Sequence, residues 1–378
     1  MKTRFLGILL ALPTLLCGWE RPVPKAAPLE RPDSATVCII GDLMMHRGQI
    51  EEGCWDESLR LVAPLLEEAT VSIANMEFTL AGEPYTGYPC FSAPDSYALT
   101  AERSGVDVFL TANNHILDKG AKGWRRTMEV YSRLRDSLGI FTTGCDGLEH
   151  PLYIRADNIR IALVNATYGT NCGAEGTVVN RLTDKEKLLG AIREGAQKAD
   201  FCIVLPHWGE EYKIRHNGVQ ESLAREMALA GADLIVGAHP HVVQDTASIY
   251  VGCGKASEDS ARVHSEAGKE HSGRTEKPRR IPVVYSLGNA LSNMSAPNTQ
   301  LEFIARVSLV RDRRGTRLSG LELIPLWCSR PGGFDSHYTV LPIAEYAGKR
   351  ELWKNPADYD KMMATLRRLC PALPQASL

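Results

Sequence analysis

Six short polar clusters, each directly after an apolar run, carry the residues of this chain that could do chemistry. They are Gly41-Asp42, Asn75-Met76-Glu77, Ala112-Asn113-Asn114-His115, Pro206-His207-Trp208-Gly209-Glu210, Gly237-Ala238-His239-Pro240-His241 and Ser286-Leu287-Gly288-Asn289. Carboxylate, amide oxygen and imidazole together suit one or two borderline divalent ions, manganese, iron or zinc, better than an ion that prefers thiolate. A single histidine after a strand is ordinarily a hydrogen-bonded structural residue. Six clusters in the same position relative to six apolar runs point instead to one shared metal site.

The elements behind the clusters explain how they could meet. Residues 37–40, 71–74, 106–110, 201–205, 234–236 and 283–285 are short β-branched or apolar runs of the buried-strand type. Between them the pattern is helical. Trp124, Met128, Tyr131, Leu134 and Leu138 predict one apolar face after Asp118-Lys119-Gly120; Thr183 and Glu186 have capping-box spacing ahead of Leu188, Leu189 and Ile192; Gly218 opens and Gly231 closes a third helix. Strand and helix alternate as in an α/β fold, and loops leaving the carboxyl ends of parallel strands share one edge, where ligands bind. Residues 301–310 and 316–327 predict a long hairpin that closes the second sheet.

In this order the clusters resemble the poly-gamma-glutamate capsule synthesis protein family, CapA or PgsA, which is similar to the calcineurin-like metallophosphoesterases. The resemblance spans about residues 35–311. It implies an α/β fold of four layers, an αββα sandwich, with a metal centre at one edge. It implies that Asp42 binds one ion, that Glu77 bridges two, that Asn114 is an amide ligand, that His207 and His239 complete the second ion's shell, and that His241 binds the first. His115 matches the residue that touches the phosphate or leaving group. One departure matters: where related phosphoesterases carry Asp-x-His on the first strand, this chain has Asp42-Leu43-Met44, so an imidazole is missing. Asn75 is a stand-in offered by the acidic motif, and His46 would serve only if the strand ended early, because side chains alternate along a strand.

The activity implied is phosphoester hydrolysis by a metal-activated water, with His115 as general acid. The protein implied is exported, makes or handles an anionic extracellular polymer, poly-gamma-glutamate in the best-known members, and works with a membrane capsule-synthesis complex. Met44 favours a second reading, a non-catalytic, metal-stabilised scaffold or polymer-binding subunit of an export complex, whereas the Asn114-His115 pair favours catalysis. A third is a metal-dependent hydrolase of gamma-glutamyl amides. Glu210 and Glu211 are candidates for an acid–base pair, although their place beside His207 fits orienting that imidazole; Glu210 stands with His115 as a catalytic candidate. Asn289 is expected to do similar orienting work from the last strand.

Composition bounds the rest. At 378 residues and 44% apolar content the chain can bury a sizeable core, and a formal net charge of −2 gives no electrostatic reason to expect nucleic acid. Lys2 and Arg4 precede an apolar run over residues 5–16 that is short for a bilayer and the right length for a secretory leader. Export to the periplasm or cell surface is the expectation. Thr14-Leu15-Leu16-Cys17 resembles a bacterial lipobox, so membrane anchoring through Cys17 and ordinary cleavage near Gly18 are the two alternatives. Prolines make residues 19–34 an extended tether after the 1–18 leader. The domain then runs over 35–330, followed by an extension, 331–378, with a terminal helix.

Within the domain, residues 252–280 are rich in Ser, Glu, Lys, Arg and Gly and read as a solvated insertion whose His264 and His271 are exposed rather than ligands. Residues 82–92, with Tyr85 and Tyr88, follow the Glu77 motif and could overhang the site. The chain has 10 cysteines but no CxxC pair. Cys38 and Cys202 fall in strand runs and read as core thiols, while Cys54, Cys90, Cys145, Cys172, Cys253, Cys328 and Cys370 fall in loop-like or terminal contexts. No Gly-x-Ser-x-Gly elbow, glycine-rich phosphate loop or His-Glu-x-x-His occurs.

Overall fold

The structure, a computed structural model, describes residues 33–252, 261–263 and 278–371. The first sheet is built from β1 (Asp33–Leu43), β2 (Val71–Met76), β3 (Val108–Leu110) and β4 (Phe141–Thr143). The second takes β5 (Leu152–Ala156), β6 (Ile159–Thr167), β7 (Phe201–His207), β8 (Leu234–Val236), β9 (Thr246–Val251), β10 (Ala261–Val263) and β11 (Arg279–Val284). The chain then returns to the first with β12 (Leu301–Asp312), β13 (Gly315–Ser329) and β14 (Thr339–Pro342). The strand orders are β14-β13-β12-β1-β2-β3-β4 and β10-β9-β11-β8-β7-β6-β5. Strands β1 to β4 are mutually parallel, as are β6, β7, β8 and β11, so their carboxyl ends lie along common edges.

Period-two alternation in these strands builds the layers. Along β1, Val37 and Ile39 join the core between the sheets, while Cys38 and Ile40 join a second core beneath helices. Along β7, Ile203 and Leu205 face inward and Cys202 and Val204 outward. A strand buried on both faces reads as an unbroken apolar run, which is why these were visible in the sequence. Between β1 and β4 the chain forms α1 (Arg47–Glu52), α2 (Ala63–Glu67), α3 (Asp95–Arg103) and α4 (Gly120–Leu138). Tyr97, Ala101, Val130 and Tyr131 of α3 and α4 pack on Ile40, Ala74 and Phe109. On the other side, Leu188 and Ile192 of α5 (Lys185–Lys198) and Ala224 and Met227 of α6 (Gly218–Ala230) pack on Val204 and Ile235. The result is the four-layer αββα sandwich. After it come α7 (Ile343–Tyr346) and α8 (Pro356–Leu369), and Met362 and Leu366 of α8 join Trp327 and Leu341 in the inter-sheet core. Each fully buried Ile, Leu or Val contributes about 1.5–3 kcal/mol over its exposed state.

Several details differ from expectation. The 301–327 hairpin extends the first sheet, not the second: β12 pairs antiparallel with β1, from Asp33↔Arg311 to Ile39↔Ala305, covering the edge that β1 would otherwise leave bare. The buried stripe of α4 runs through Gly123, Thr127, Val130 and Tyr131, and Leu138 is 45% exposed. Helix α5 starts after Asp184 with no side-chain cap, whereas Asn217 and Gln220 form a reciprocal capping box on α6. The 252–280 stretch is not all solvated loop, since β10 and the start of β11 pair with β9; Cys17, His264 and His271 lie outside the described residues. The described cysteines are free thiols, and Cys328 is buried at the end of β13 rather than in a loop. No described helix is long and apolar enough to cross a membrane.

One seam positions the site. The chain leaving β11 crosses to the first sheet, where Asp42 N–H donates to Gly288 O (3.1 Å), Leu291 N–H to Asp42 O (3.2 Å) and Phe303 N–H to Leu287 O (2.9 Å). A Cβ on Gly41 would stand 2.0 Å from Gly288 O, so only glycine lets the two backbones approach this closely. Behind Gly41, Glu302 is fully buried on β12; its Oε1 accepts the Gly41 N–H at 2.9 Å and its Oε2 has no partner.

Candidate metal centre

Each candidate side chain is delivered from a carboxyl end. Asp42 closes β1, Glu77 follows β2, Asn114 and His115 sit in the turn after β3, His207 ends β7, His239 and His241 lie in the loop after β8, and Asn289 follows β11. All are buried, Asp42 and Glu77 completely. His239 and His241 are held with φ of 101° and 57°. That left-handed backbone costs a non-glycine residue on the order of 1–3 kcal/mol and persists only where its surroundings enforce it. Here His239 N–H donates to Asp42 Oδ2 (3.2 Å) and Trp208 N–H to Ala238 O (3.0 Å).

Three overlapping donor sets result. In each of Glu77/His207/His239, Asp42/Glu77/His241 and Glu211/His239/His241, one donor atom per residue lies within 4.8 Å of the others. Asn114 Oδ1 lies 2.8 Å from His207 Nε2 and so adjoins the first set. Glu77 belongs to two: its Oε1 is 3.8 Å from both His207 Nε2 and His241 Nε2. Neither Glu77 oxygen has a hydrogen-bond partner, and His239 Nδ1 is likewise unpaired. A carboxylate buried without counter-charge costs several kcal/mol, and a divalent cation among these donors would remove that cost. The residues therefore fit such an ion, and their oxygen–imidazole chemistry, free of thiolate, suits manganese, iron or zinc.

The electrostatics agree. Burial, then the neighbouring Asp42, pushes Glu77 well above the ordinary carboxyl value. Burial alone would raise Asp42 too, but the hydrogen bond from His241, backed by His207 and the Asn75 amide, holds it low. Burial takes His207 down to about 3 and His239 well below the usual imidazole value. At neutral pH both rings are thus neutral, the form that ligates.

His115 stands apart from the three sets. Its Nδ1 is 2.7 Å from Asp118 Oδ2, which also accepts the Phe91 N–H at 2.8 Å, and its Nε2 is 4.0 Å from Glu77 Oε1. The Phe91 ring meets it edge-on, 4.6 Å between centroids, and Asn171 Nδ2 lies 3.3 Å from Nδ1. Half-exposed Tyr168 lies 4.5 Å from the His239 ring centroid, and half-exposed Tyr212 lies 6.3 Å from that of His241.

The structure thus brings Asp42, Glu77, Asn114, His115, His207, His239 and His241 together. Asn75 stands among them with its amide nitrogen on Asp42 Oδ1 (2.7 Å) and His207 Nδ1 (3.2 Å), where it orients both. Asn289 Oδ1 holds His241 Nδ1 at 2.9 Å. Glu210 is the correction: it is exposed, accepts from Asn217 Nδ2 (3.2 Å), and leaves His207 to Asn75 and Asn114, because the chain after Gly209 turns it outward. Met44 is buried in the helix-side core, and His46 caps α1, accepting the Asn293 N–H at 3.3 Å, outside every donor set. Of the 82–92 loop, Phe91 touches His115, while Tyr85 and the 74% exposed Tyr88 line a cleft with Arg47 and Lys119. Sequence reasoning missed Asp118, Asn171, Tyr168 and the placement of Glu211. The three-residue spacing of His115 and Asp118 in one turn was a usable signal; Asn171 offered none.

The profile described as bacterial capsule synthesis protein PGA_cap matches residues 36–294. The chain is 29% identical to the capsule biosynthesis protein CapA of Bacillus anthracis over 255 residues, 62% of each chain. It is 28% identical to the PGA biosynthesis protein CapA of Bacillus subtilis (strain 168) over 231 residues, 56% of this chain and 59% of that one. It thus spans about three fifths of the length of these relatives. Among solved structures it is similar to TT1561 of Thermus thermophilus, with a TM-score of 0.37 and 11% identity over 72% of this chain and 94% of that one.

Proposed function

The chain belongs to the bacterial capsule synthesis protein PGA_cap family, and from that premise we propose that it is an exported, divalent-metal-dependent phosphoester hydrolase serving the synthesis or handling of an anionic capsule polymer. The observation that carries the reading is Glu77, a buried carboxylate with no hydrogen-bond partner, shared by two donor sets and facing His115. Asp42, Glu77 and His241 would hold one ion, and Glu77, Asn114, His207 and His239 a second. A divalent ion there supplies Lewis acidity toward a phosphoryl oxygen and a nucleophile at neutral pH.

The chain's own residues do the rest. Asp118 accepts the Nδ1 proton of His115 and stabilises the ring when it is charged, which leaves Nε2 facing the centre to give a proton to the leaving oxygen. Asn289 Oδ1 accepts from His241 Nδ1 and leaves its Nε2 for the ion, while the Asn75 amide nitrogen holds Asp42. Phe91 and Tyr168 wall the donors and limit water around them.

Met44 supports a second reading, a non-catalytic scaffold or polymer-binding subunit, because its burial in the helix-side core leaves β1 with one donor instead of two. Purified protein with its metal content measured, assayed against a chromogenic phosphodiester and against poly-gamma-glutamate, separates the readings. Diester turnover lost on chelation supports the hydrolase, cleavage of the polymer alone supports an amidase, and bound metal without turnover of either overturns both in favour of the scaffold. The leader motif at residues 1–18 supports export, with Cys17 as its anchor point.

A further inference from the structure

We infer that Glu211 is a metal ligand in this chain, taking the place left open by Met44 and completing the shell of the ion held by Asp42, Glu77 and His241. The inference rests on the metal-site reading above and concerns which residues make it.

Counting donor atoms leads to it. An imidazole whose one nitrogen is engaged by the protein has a single nitrogen left for an ion. His241 Nδ1 lies on Asn289 Oδ1 at 2.9 Å, an oxygen that can only accept, so Nδ1 carries the ring proton and His241 offers only Nε2. The Glu211/His239/His241 set therefore cannot be a third, separate site, because it would compete for the one His241 nitrogen that the Asp42/Glu77/His241 set already uses. Glu211 must add to one of them. Glu77, His207 and His239 already have Asn114 beside them as a fourth donor. Asp42, Glu77 and His241 have none, since Met44, two residues after Asp42 and just past β1, packs in the helix-side core. Glu211 lies within 4.8 Å of a ring nitrogen of His241, as of His239, and supplies the fourth.

The surroundings call for a cation independently. Neither oxygen of the fully buried Glu77 nor Nδ1 of the 3% exposed His239 has a hydrogen-bond partner. The loop also selects Glu211 over its neighbour. Tyr212 N–H donates to Pro240 O at 2.8 Å, tying the stretch to the loop that carries His239 and His241, while Glu210 turns away to Asn217. Glu211 is exposed, so it closes the shell from the solvent side, where the strand-borne imidazole would have closed it from within.

The test is Mn²⁺ binding by the full-length protein, read by calorimetry and by metal analysis after dialysis, in wild type, Glu211→Gln, Glu211→His and Glu210→Gln. Wild type is expected to bind two ions; Glu211→Gln should weaken one of them by about 10- to 100-fold and leave the other unchanged. Glu211→His restores a donor atom without the charge and should recover most of the loss, and Glu210→Gln should match wild type. Two unchanged ions in Glu211→Gln would overturn the inference while leaving the metal site intact. Equal weakening in Glu210→Gln, or no recovery in Glu211→His, would show that only negative charge near the site matters and would overturn it as well. A wild type that binds no ion would overturn the metal-site reading and this inference with it.

Discussion

Replacing Glu302 by glutamine should change the slope of stability with pH rather than simply lower stability. Glu302 is fully buried, and burial, with the charge of Asp42 behind it, pushes its carboxyl well above 4.5. In the unfolded chain it ionises above about pH 4.5; in the folded protein it keeps its proton. Folding therefore takes up a proton, and stability falls as pH rises from 4.5 toward the folded-state value, by about 1.4 kcal/mol per pH unit. Over the roughly three units to about pH 7.5 the loss reaches at most about 4 kcal/mol. Glutamine still accepts the Gly41 N–H and places an uncharged amide where Oε2 has no partner, a pH-independent loss of about 1–3 kcal/mol at most. Glu302→Gln should be equal to or less stable than wild type near pH 5 and should gain on it as pH rises toward 7.5. Urea unfolding of metal-saturated protein across this range measures it, since the titrations of the metal centre are then common to both proteins and cancel in the difference. Parallel stability curves would refute the reasoning.

The centre makes further predictions. His115→Ala should cut any phosphoester hydrolysis by about 10²–10⁴ with metal content near normal, and equal loss of metal would make His115 structural. His239→Ala/His241→Ala should be depleted of metal after dialysis; full occupancy would rule out the centre as drawn. Because Glu77 must lose a proton to ligate while His207, at about 3 in the free protein, is already neutral, Mn²⁺ affinity should rise with pH by up to about tenfold per unit below the Glu77 value, and a flat calorimetric profile from pH 5 to 8 would contradict this. Residues 1–35 fused to a reporter that matures only outside the cytoplasm should become active, and Cys17→Ser should release the protein from membranes if Cys17 is acylated; retention of the fusion in the cytoplasm would reject the leader.

Strands buried on both faces were legible because nothing interrupts their apolar runs: β1, β2, β3, β7 and β8 fall where residues 37–40, 71–74, 106–110, 201–205 and 234–236 predict them. Short β4, the edge strands β10 and β14, and β9 beside β10 carry weaker patterns, and β10 lies in a stretch whose composition reads as solvent-facing. The hairpin was visible but its sheet was not, since strand identity says nothing about which of two bare edges it covers. At the centre, residue type plus position after a strand was enough to find the residues that converge. It could not choose between Glu210 and Glu211, because that choice is made by φ of 96° at Gly209 and 66° at Tyr212. Nor could it place Asn171 beside His115, 56 residues away, which needs β6 already set beside β7 and facing β3.

Because the seam joins Asp42 and Glu77 on one sheet to His207, His239 and His241 on the other, no half of the chain can hold the centre alone. The segment that locks the sheets together, around Gly288, is synthesised after every donor. A chain threaded through a membrane before it folds therefore crosses without a finished site. If the chain is exported and binds metal as proposed, the ion would be chosen from those present where the seam closes, so the compartment of folding, rather than of synthesis, would set its identity.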